Sequence, residues 1–352
     1  MKKMLRFLKY VLISILSLIV FFCLYFFISN KIFLGGTDDT FVAYLKENKL
    51  NVGGEIDPAF FDDDFYHSDI FLLGEIHGFA GNQDMDKKML LLLNKKIGVR
   101  YYVAEMDSVH ADKLNTFLRK TEKDTELLKE VVNGIKKRIP QQAGQELYNK
   151  WSDIYDYNRT LHDSLQITVL GIDKNFDNDT ATFSRDSIMI MNFRNIVAQK
   201  KLEGEHFYGL FGFYHVLQSA PIDKGKPLAA RLKTSHYKVA SIVSYTLDSE
   251  MFMPKDLGMP TNDTESVPMA NADGPLMLVK GINDLKAVTK PNTQTLFRLT
   301  QAQSPYLDTQ RLSALKAHFM GEDLLPKDGY ITPQYFQYAL LLRNSKAITR
   351  LK

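Results

Sequence analysis

Two apolar runs in the sequence lead to a histidine that stands three residues after a glycine. "FLLGEIHG" (71–78) contains Glu75 and His77, and "GLFGFYHVLQ" (209–218) contains His215. Histidine is the side chain most often used as a general base, and a neighbouring carboxylate can orient it. Two imidazoles with carboxylates can also bind a divalent metal together with its water. These residue types therefore indicate hydrolysis by an activated water, with a metal or without one.

Acidic residues close two further apolar runs. "YYVAEMD" ends in Glu105 and Asp107, and "QITVLGID" ends in Asp173. A single carboxylate at a strand end is usually a turn or capping residue, but a carboxylate inside an apolar run is costly to bury without a partner. Side chains two residues apart on a strand point to the same face. We therefore expect Glu75 to converge with His77, and Glu105 with Asp107.

A cation follows the third of these runs. "SRDSIMIMN" (184–192) carries Arg185 near the start of a helical segment. Most arginines form ion pairs at the surface, but at this position the side chain would face the same edge as Asp173. It could hold a carboxylate in place or bind an anionic oxygen.

Strand-like and helical segments alternate along the chain and would position these residues. Strands are predicted for 69–75, 99–106, 166–173, the first part of 205–218, 237–247 and 274–281. Helices are predicted for 82–98, 110–138, 144–164, 180–201, 308–319 and 332–345, with a loop over 250–273. This alternation predicts an α/β fold with a mostly parallel central sheet and helices on both faces. In such sheets, ligands bind beyond the carboxyl ends of the strands.

The N-terminus predicts one transmembrane helix before this fold. "VLISILSLIVFFCLYFFIS" (11–29) is uncharged, and about 20 such residues span a bilayer. Four basic residues precede it, which places the N-terminus in the cytoplasm and the body outside, periplasmic or extracellular. A cleaved signal peptide is the alternative, although it usually has a shorter apolar core and a small-residue cleavage site. The expected organisation is a cytoplasmic segment (1–9), a membrane anchor (10–30), a linker (31–60) and a catalytic α/β domain (61–352).

Charge and cysteine content exclude some classes of function. The net charge of +3 and the absence of a Lys/Arg run argue against a nucleic-acid partner. The only cysteine, Cys23, lies within the apolar N-terminal segment. Neither a disulfide within the chain nor a cysteine-based zinc site can therefore form.

Five segments taken in order resemble the erythromycin esterase-like superfamily, which includes the ChaN, TraB and Tiki branches. They are "LLGEIHG", "YYVAEMD", "VLGID", "SRDSIMIMN" and "GLFGFYHVLQ", within about residues 66–220, with "GPLMLVKG" as a late member. Paired GxxH motifs, here "GEIH" and "GFYH", are typical of the Tiki and TraB branches. The resemblance implies site roles for Glu75, His77, Glu105, Arg185 and His215. Residues 220–273 match none of its segments.

The branches differ in what they bind. Tiki-like members are metal-dependent proteases, ChaN-like members bind haem, and the esterases work through histidine without an obligatory metal. If a metal is bound here, its ligands would be His77, His215 and one or two of Glu75, Glu105 and Asp173. If haem is bound, Tyr208, Tyr214 and His110 could be axial or lining groups.

The expected function is a membrane-anchored hydrolase acting on a small-molecule or peptide substrate through an ester or peptide bond. His77 would be the general base, oriented by Glu75 or Glu105. His215 would be a metal ligand or a second acid–base group, and Arg185 would stabilise negative charge. The alternatives are a ChaN-like haem- or metal-binding protein without turnover, and a scaffold that has lost activity and binds a partner.

Overall fold

The computed structural model describes residues 2–177, 182–258, 261–318 and 321–351. The α-helices in this part of the chain are α1 (Lys2–Leu34), α2 (Asp39–Glu47), α3 (Asp63–Tyr66), α4 (Ala80–Ile97), α5 (Ser108–Arg119), α6 (Thr125–Ile135), α7 (Gln145–Asn158), α8 (Arg185–Lys200), α9 (Leu228–Thr234) and α10 (Ile282–Ala287). The strands are β1 (Lys49–Asn51), β2 (Ile70–Glu75), β3 (Tyr101–Ala104), β4 (Thr168–Gly171), β5 (Phe207–Gly212), β6 (Val239–Leu247), β7 (Met251–Phe252), β8 (Ser266–Val267), β9 (Met277–Val279), β10 (Gln294–Arg298), β11 (Leu315–Ala317) and β12 (Tyr338–Arg343).

Eight of these strands form one sheet in the order β1–β10–β12–β6–β2–β5–β3–β4. The strands from β12 to β4 are parallel to one another. At the other edge, β10 pairs antiparallel with β12, and β1 pairs antiparallel with β10. One hydrophobic core packs α4 to α7 against the sheet, and a second packs α2, α8, α9 and α10 against it. The predicted α/β fold with a mostly parallel sheet and helices on both faces is therefore confirmed, with an antiparallel edge in addition.

The last strand corrects a helix prediction. Residues 332–345 were expected to be helical, but they contain β12, whose six residues are all buried. A strand that is covered on both faces shows no alternation of apolar and polar residues, so "YALLLR" cannot be distinguished by periodicity from a buried helical segment. Its place in the sheet depends on the parallel pairing with β6, which lies far away in sequence.

Two small sheets lie outside the central one. β7 pairs with β8, and β9 pairs with β11, both antiparallel. The strand predicted over 274–281 is thus present but belongs to a two-stranded sheet. The helix predicted over 308–319 is wrong, because residues 309–318 contain turns and β11 and no helix, and residue 319 lies outside the described part of the chain.

The segment expected to be a linker contributes to the folded body. Asp38 caps α2 by accepting a hydrogen bond from Thr40 N at 2.9 Å. Phe41 and Leu45 on α2 are buried in the second core, and β1 adds an edge strand to the sheet. Residues 39–51 therefore pack as part of the same unit as the sheet.

Helix α1 is long and apolar enough to cross a membrane, which is compatible with an anchor or a signal sequence. Its side chains from Met4 to Phe22 are largely exposed. Its C-terminal end joins the body, because Gly281 N donates to Leu34 O at 2.8 Å and Asn283 Nδ2 donates to Gly35 O at 2.8 Å.

Candidate active site

The end of β2 positions a carboxylate behind a histidine. Glu75 is the last residue of β2 and is 1% exposed. His77 Nδ1 lies 2.9 Å from Glu75 Oε1. Gln142 Nε2 donates to the same carboxylate oxygen and lies 3.2 Å from His77 Nδ1. Because Nδ1 is occupied by these partners, Nε2 is the nitrogen that His77 presents to a substrate.

The carboxylate also sets the proton affinity of His77. Burial disfavours the charged imidazolium, but the hydrogen bond to Glu75 and the charges of Glu75 and Glu105 outweigh it. The pKa of His77 is consequently raised above its ordinary value. The side chain remains 24% exposed, so the imidazole can exchange protons with a bound molecule.

The chain reverses immediately after His77 through a glycine. Gly78 has φ +101°, and a Cβ there would lie 3.0 Å from Phe252 O and 3.1 Å from Phe252 N. Phe252 N donates to Gly78 O at 2.9 Å, which docks β7 onto this turn. Only glycine combines this backbone conformation with such a close approach. The turn thereby fixes His77 next to the segment that carries β7.

Across the site, an arginine holds two buried carboxylates. Arg185 Nε lies 3.0 and 3.1 Å from the two carboxylate oxygens of Asp173, and its NH2 group also contacts Asp173. Its NH1 group lies 2.8 Å from Glu105 Oε1. Glu105 Oε2 accepts a hydrogen bond from Gly212 N at 2.6 Å. Arg185, at the start of α8, therefore connects the ends of β3, β4 and β5.

The opposite charges in this cluster stabilise one another in their ionised forms. Burial disfavours the guanidinium charge, but Glu105 and Asp173 raise the pKa of Arg185 above its ordinary value. Burial would also raise the pKa of Glu105, but Arg185, followed by His215 and His77, lowers it below its usual range. Glu105 and Arg185 are therefore both ionised at neutral pH.

A second histidine–carboxylate pair lies beside the arginine. His215 is in the short 3-10 helix Phe213–Val216, and its Nδ1 lies 2.7 Å from Asp186 Oδ1. Asp186 Oδ1 also accepts a hydrogen bond from Leu228 N at 2.6 Å, which fixes the carboxylate. His215 Nε2 lies 3.4 Å from Arg185 NH1. This nitrogen therefore faces the same polar centre.

Gly212 separates the two histidines. A Cβ at this position would lie 3.4 Å from His77 Nε2 and 3.5 Å from His215 Cδ2. Both imidazoles therefore border one small space above Gly212, which is open because glycine has no side chain. That space is adjacent to Glu105, which binds Gly212 N.

An apolar cavity of about 430 Å³ begins at His77. Such a volume is within the range of small-molecule sites, about 300–1,000 Å³. Four methionines contribute to its wall, Met251, Met253, Met269 and Met277. Methionine is flexible and adapts to irregular apolar ligands. Within the segment 250–273, expected to be a loop, the described residues form β7 and β8 and contribute Met251, Met253, Met269 and Ala270 to this wall, whereas residues 259 and 260 lie outside the described part of the chain.

The residues expected to bind a metal do not fit that role. The guanidinium of Arg185 contacts both Glu105 and Asp173 and lies beside His215. A divalent cation held by these side chains would lie against a fixed positive charge. Among the described residues, no group of three or more His, Cys, Asp and Glu side chains is arranged to hold a metal.

The side chains considered for haem are not gathered in one place. Tyr208 is fully buried on β5, and its ring lies 5.8 Å from the ring of Tyr102. His110 is buried on α5, with Nδ1 2.6 Å from Asp107 Oδ1. Tyr214 borders the cavity, and its hydroxyl donates to Gly225 O at 2.6 Å. These three side chains do not form a single haem pocket.

One expected convergence does not occur, and two residues were missed. β3 ends at Ala104, so the chain turns and Asp107 caps α5 by accepting from His110 N at 3.0 Å. Asp107 therefore has a structural role away from Glu105. Asp186 stood next to Arg185 in a segment already singled out, so the sequence did contain a signal for it. Gln142 lies between α6 and α7, where no pattern in the sequence indicated a site.

Solved structures share this fold, although no family model and no curated protein matches the sequence. A Bacillus cereus protein has TM-score 0.60 and 11% identity, covering 88% of this chain and 98% of that chain. A protein named as a succinoglycan biosynthesis protein has TM-score 0.57 and 12% identity over 88% and 98% of the two chains. A mutant erythromycin esterase in its open conformation has TM-score 0.47 and 11% identity over 80% and 92%. The chain is therefore similar in fold to the first two proteins over nearly their full length.

Proposed function

We propose that this protein is a hydrolase in which His77 activates water for attack on an ester. The observation that carries the proposal is the arrangement around Gly212. His77, backed by Glu75, faces the Arg185–Glu105 pair and the His215–Asp186 pair across one small space. The sequence resemblance to the erythromycin esterase-like superfamily assigns roles to the same residues and agrees with this proposal.

The reaction would use four side chains: His77, Glu75, Arg185 and His215. His77 Nε2 removes a proton from water as the oxygen bonds to the acyl carbon, while Glu75 stabilises the imidazolium that forms. Arg185 stabilises the negative charge that develops on the carbonyl oxygen, because its own charge is permanent at neutral pH. The acyl–oxygen bond then breaks, and the leaving alcohol takes a proton from His77 or His215. The products are a carboxylic acid and an alcohol.

An ester is favoured over a peptide because of the cavity. The wall next to His77 is mainly apolar and carries several methionines. Recognition of a peptide backbone requires a row of hydrogen-bonding groups or an exposed strand edge. The cavity instead fits an apolar acyl or alcohol portion.

The test is hydrolysis of a panel of acyl esters and matched amides by the full chain, followed for wild type and Glu75→Ala. We expect turnover of esters by wild type and a loss of about 10²-fold or more in Glu75→Ala, which is the lower range for general-base catalysis. Absence of turnover on every ester and amide would overturn the proposal. Full activity of Glu75→Ala would show that the pair with His77 is not used.

We also propose that α1 anchors the body to the outer face of the membrane. The basic residues in the first turns of α1, before its uncharged stretch 11–29, support this orientation. The packing of its last turns against the body is more consistent with a retained anchor than with a cleaved signal. Protease added to intact spheroplasts should digest the body. If digestion requires lysis of the cells, the orientation is wrong.

A further inference from the structure

The two-stranded sheet β9–β11 is a thin wall with different surroundings on its two faces. Side chains alternate between the faces of a strand. On one face, Met277, Leu315 and Ala317 line the cavity beside His77. The neighbouring residues Leu278 and Lys316 therefore point the other way.

That other face packs against the end of α1. Leu278 borders an apolar cleft that is also lined by Phe26 and Phe27 of α1. Lys316 Nζ lies 4.5 Å from the centre of the Phe33 ring. One layer of backbone therefore separates the substrate cavity from the candidate membrane anchor.

Polar groups mark the level at which the apolar span ends. His318 Nε2 lies 3.1 Å from Asn30 Oδ1, and the His318 ring lies 4.9 Å from the Phe26 ring. Lys31, in the last turn of α1, lines the same cleft as Leu278, and Lys316 lies on the ring of Phe33 two residues further along α1. Lysine side chains near the end of a membrane helix extend toward the lipid headgroups, where they meet phosphates. β11 is thus placed at the membrane surface when α1 spans the bilayer.

We propose that the substrate is an amphiphilic ester that resides in the membrane and inserts its apolar chain into the methionine-lined cavity. This proposal rests on the hydrolase proposed above and on α1 being retained as an anchor. The ester bond is presented to His77 at the end of the cavity, and the charged portion of the molecule stays at the surface. The bonds made and broken are those of ester hydrolysis, with water as the only co-reactant.

The first experiment varies the length of the acyl chain. The full chain in phosphatidylcholine vesicles is given p-nitrophenyl esters from acetyl to dodecanoyl. We expect kcat/KM to rise by about fourfold for each methylene taken up by the cavity, from the free energy of burying a CH₂ group. Ala317→Phe fills part of the cavity and should lower the ratio of dodecanoyl to acetyl turnover, and Ala287→Phe, an exposed position on α10, is the control.

The second experiment tests whether the substrate reaches the cavity from the membrane. Lys316→Glu places a negative charge at the headgroups on the face of β11 that does not line the cavity. We expect hydrolysis of a vesicle-embedded long-chain ester to fall several-fold while hydrolysis of soluble acetyl ester is unchanged. Lys290→Glu, a charge reversal at an exposed lysine between α10 and β10, should change neither rate.

The outcomes separate this proposal from the function on which it rests. Hydrolysis of acetyl ester with no gain for longer chains would overturn the amphiphilic substrate and leave the hydrolase intact. Equal rates for Lys316→Glu and Lys290→Glu on the embedded ester would overturn the membrane source. Absence of turnover on all esters would contradict the hydrolase itself, and this proposal with it.

Discussion

His77 Nδ1 lies 2.9 Å from Glu75 Oε1, so the ring is fixed with Nε2 toward Gly212 and the apolar cavity. Glu75 closes β2, whose six residues are all buried, and therefore has little freedom to move. Because this carboxylate is held by the sheet, it fixes both the orientation and the proton affinity of the histidine.

Replacing Glu75 by glutamine should shift the pH dependence of hydrolysis. A general base acts only when it is deprotonated, so kcat/KM falls as the pH drops through its pKa. Glu75 contributes to the raised pKa of His77, and its neutral replacement should lower that pKa. The acid limb of the pH–rate profile should therefore move to lower pH in Glu75→Gln. Glu47→Gln, at an exposed position, should keep the wild-type profile. An acid limb that stays in place would show that Glu75 does not tune the base.

Gly212→Ala should remove activity without unfolding the protein. The added methyl would lie 3.4 Å from His77 Nε2, which is an ordinary contact distance, and would fill the space between the imidazoles. Displacing a reacting group by about 1 Å can cost about 10²-fold in rate. We expect a loss of that order in kcat with an unchanged thermal midpoint. Gly53→Ala, which would meet nothing within 4 Å, is the control and should be fully active. Wild-type turnover by Gly212→Ala would show that the reaction does not use the space above Gly212.

Arg185→Met should destabilise the fold as well as the reaction. It would leave Glu105 buried without its guanidinium partner, and Asp173 with only the more distant Arg138, whose Nε lies 3.9 Å away. Breaking a buried pair of this kind typically costs about 3–5 kcal/mol. Urea denaturation should show this loss in the free energy of unfolding. Adding Glu105→Gln to Arg185→Met removes the charge of the carboxylate that lost its partner. The double variant should therefore lose less free energy of unfolding than the sum of the losses in the two single variants. Strict additivity would mean that the two side chains are not coupled.

Acidification should weaken the fold partly through Glu105. The pKa of Glu105 in the folded chain is below its usual range, because Arg185 and the two histidines outweigh the effect of burial. The unfolded chain therefore binds more protons just below the ordinary glutamate pKa of about 4.3. This stabilisation is present above that pH and is lost as the pH falls through the folded pKa. The urea midpoint should thus decline less steeply on acidification in Glu105→Gln. An equally steep decline in the variant would assign the acid sensitivity to other carboxylates.

The sequence predicted the residues at the strand ends better than it predicted the later elements. Glu75, Glu105 and Asp173 follow apolar runs that are covered on both faces, and the parallel sheet brings such ends to one edge. β12 was missed because a fully buried strand has no period of its own, and β11 because its partner β9 lies far away in sequence.

The partners of the site were harder to predict than its histidines. Gln142 approaches Glu75 from a connection between two helices, so its role depends on tertiary packing alone. Asp107 follows the same apolar run as Glu105, but it acts as the N-cap of α5, because its side-chain oxygen accepts a hydrogen bond from a free backbone N–H of that helix. Spacing along a strand is informative only as far as the strand continues.

The central claim is that His77 acts as a metal-free base, and chemical rescue tests it most directly. Ester hydrolysis would be measured for wild type, His77→Ala and the exposed-histidine control His67→Ala, each treated with chelator and then supplied with imidazole. The account predicts full activity for wild type and His67→Ala after chelation, and a loss of about 10²–10⁴-fold in His77→Ala. It also predicts that imidazole restores part of the lost rate. Activity of His77→Ala equal to wild type, or wild-type activity that chelator abolishes and zinc restores, would contradict it.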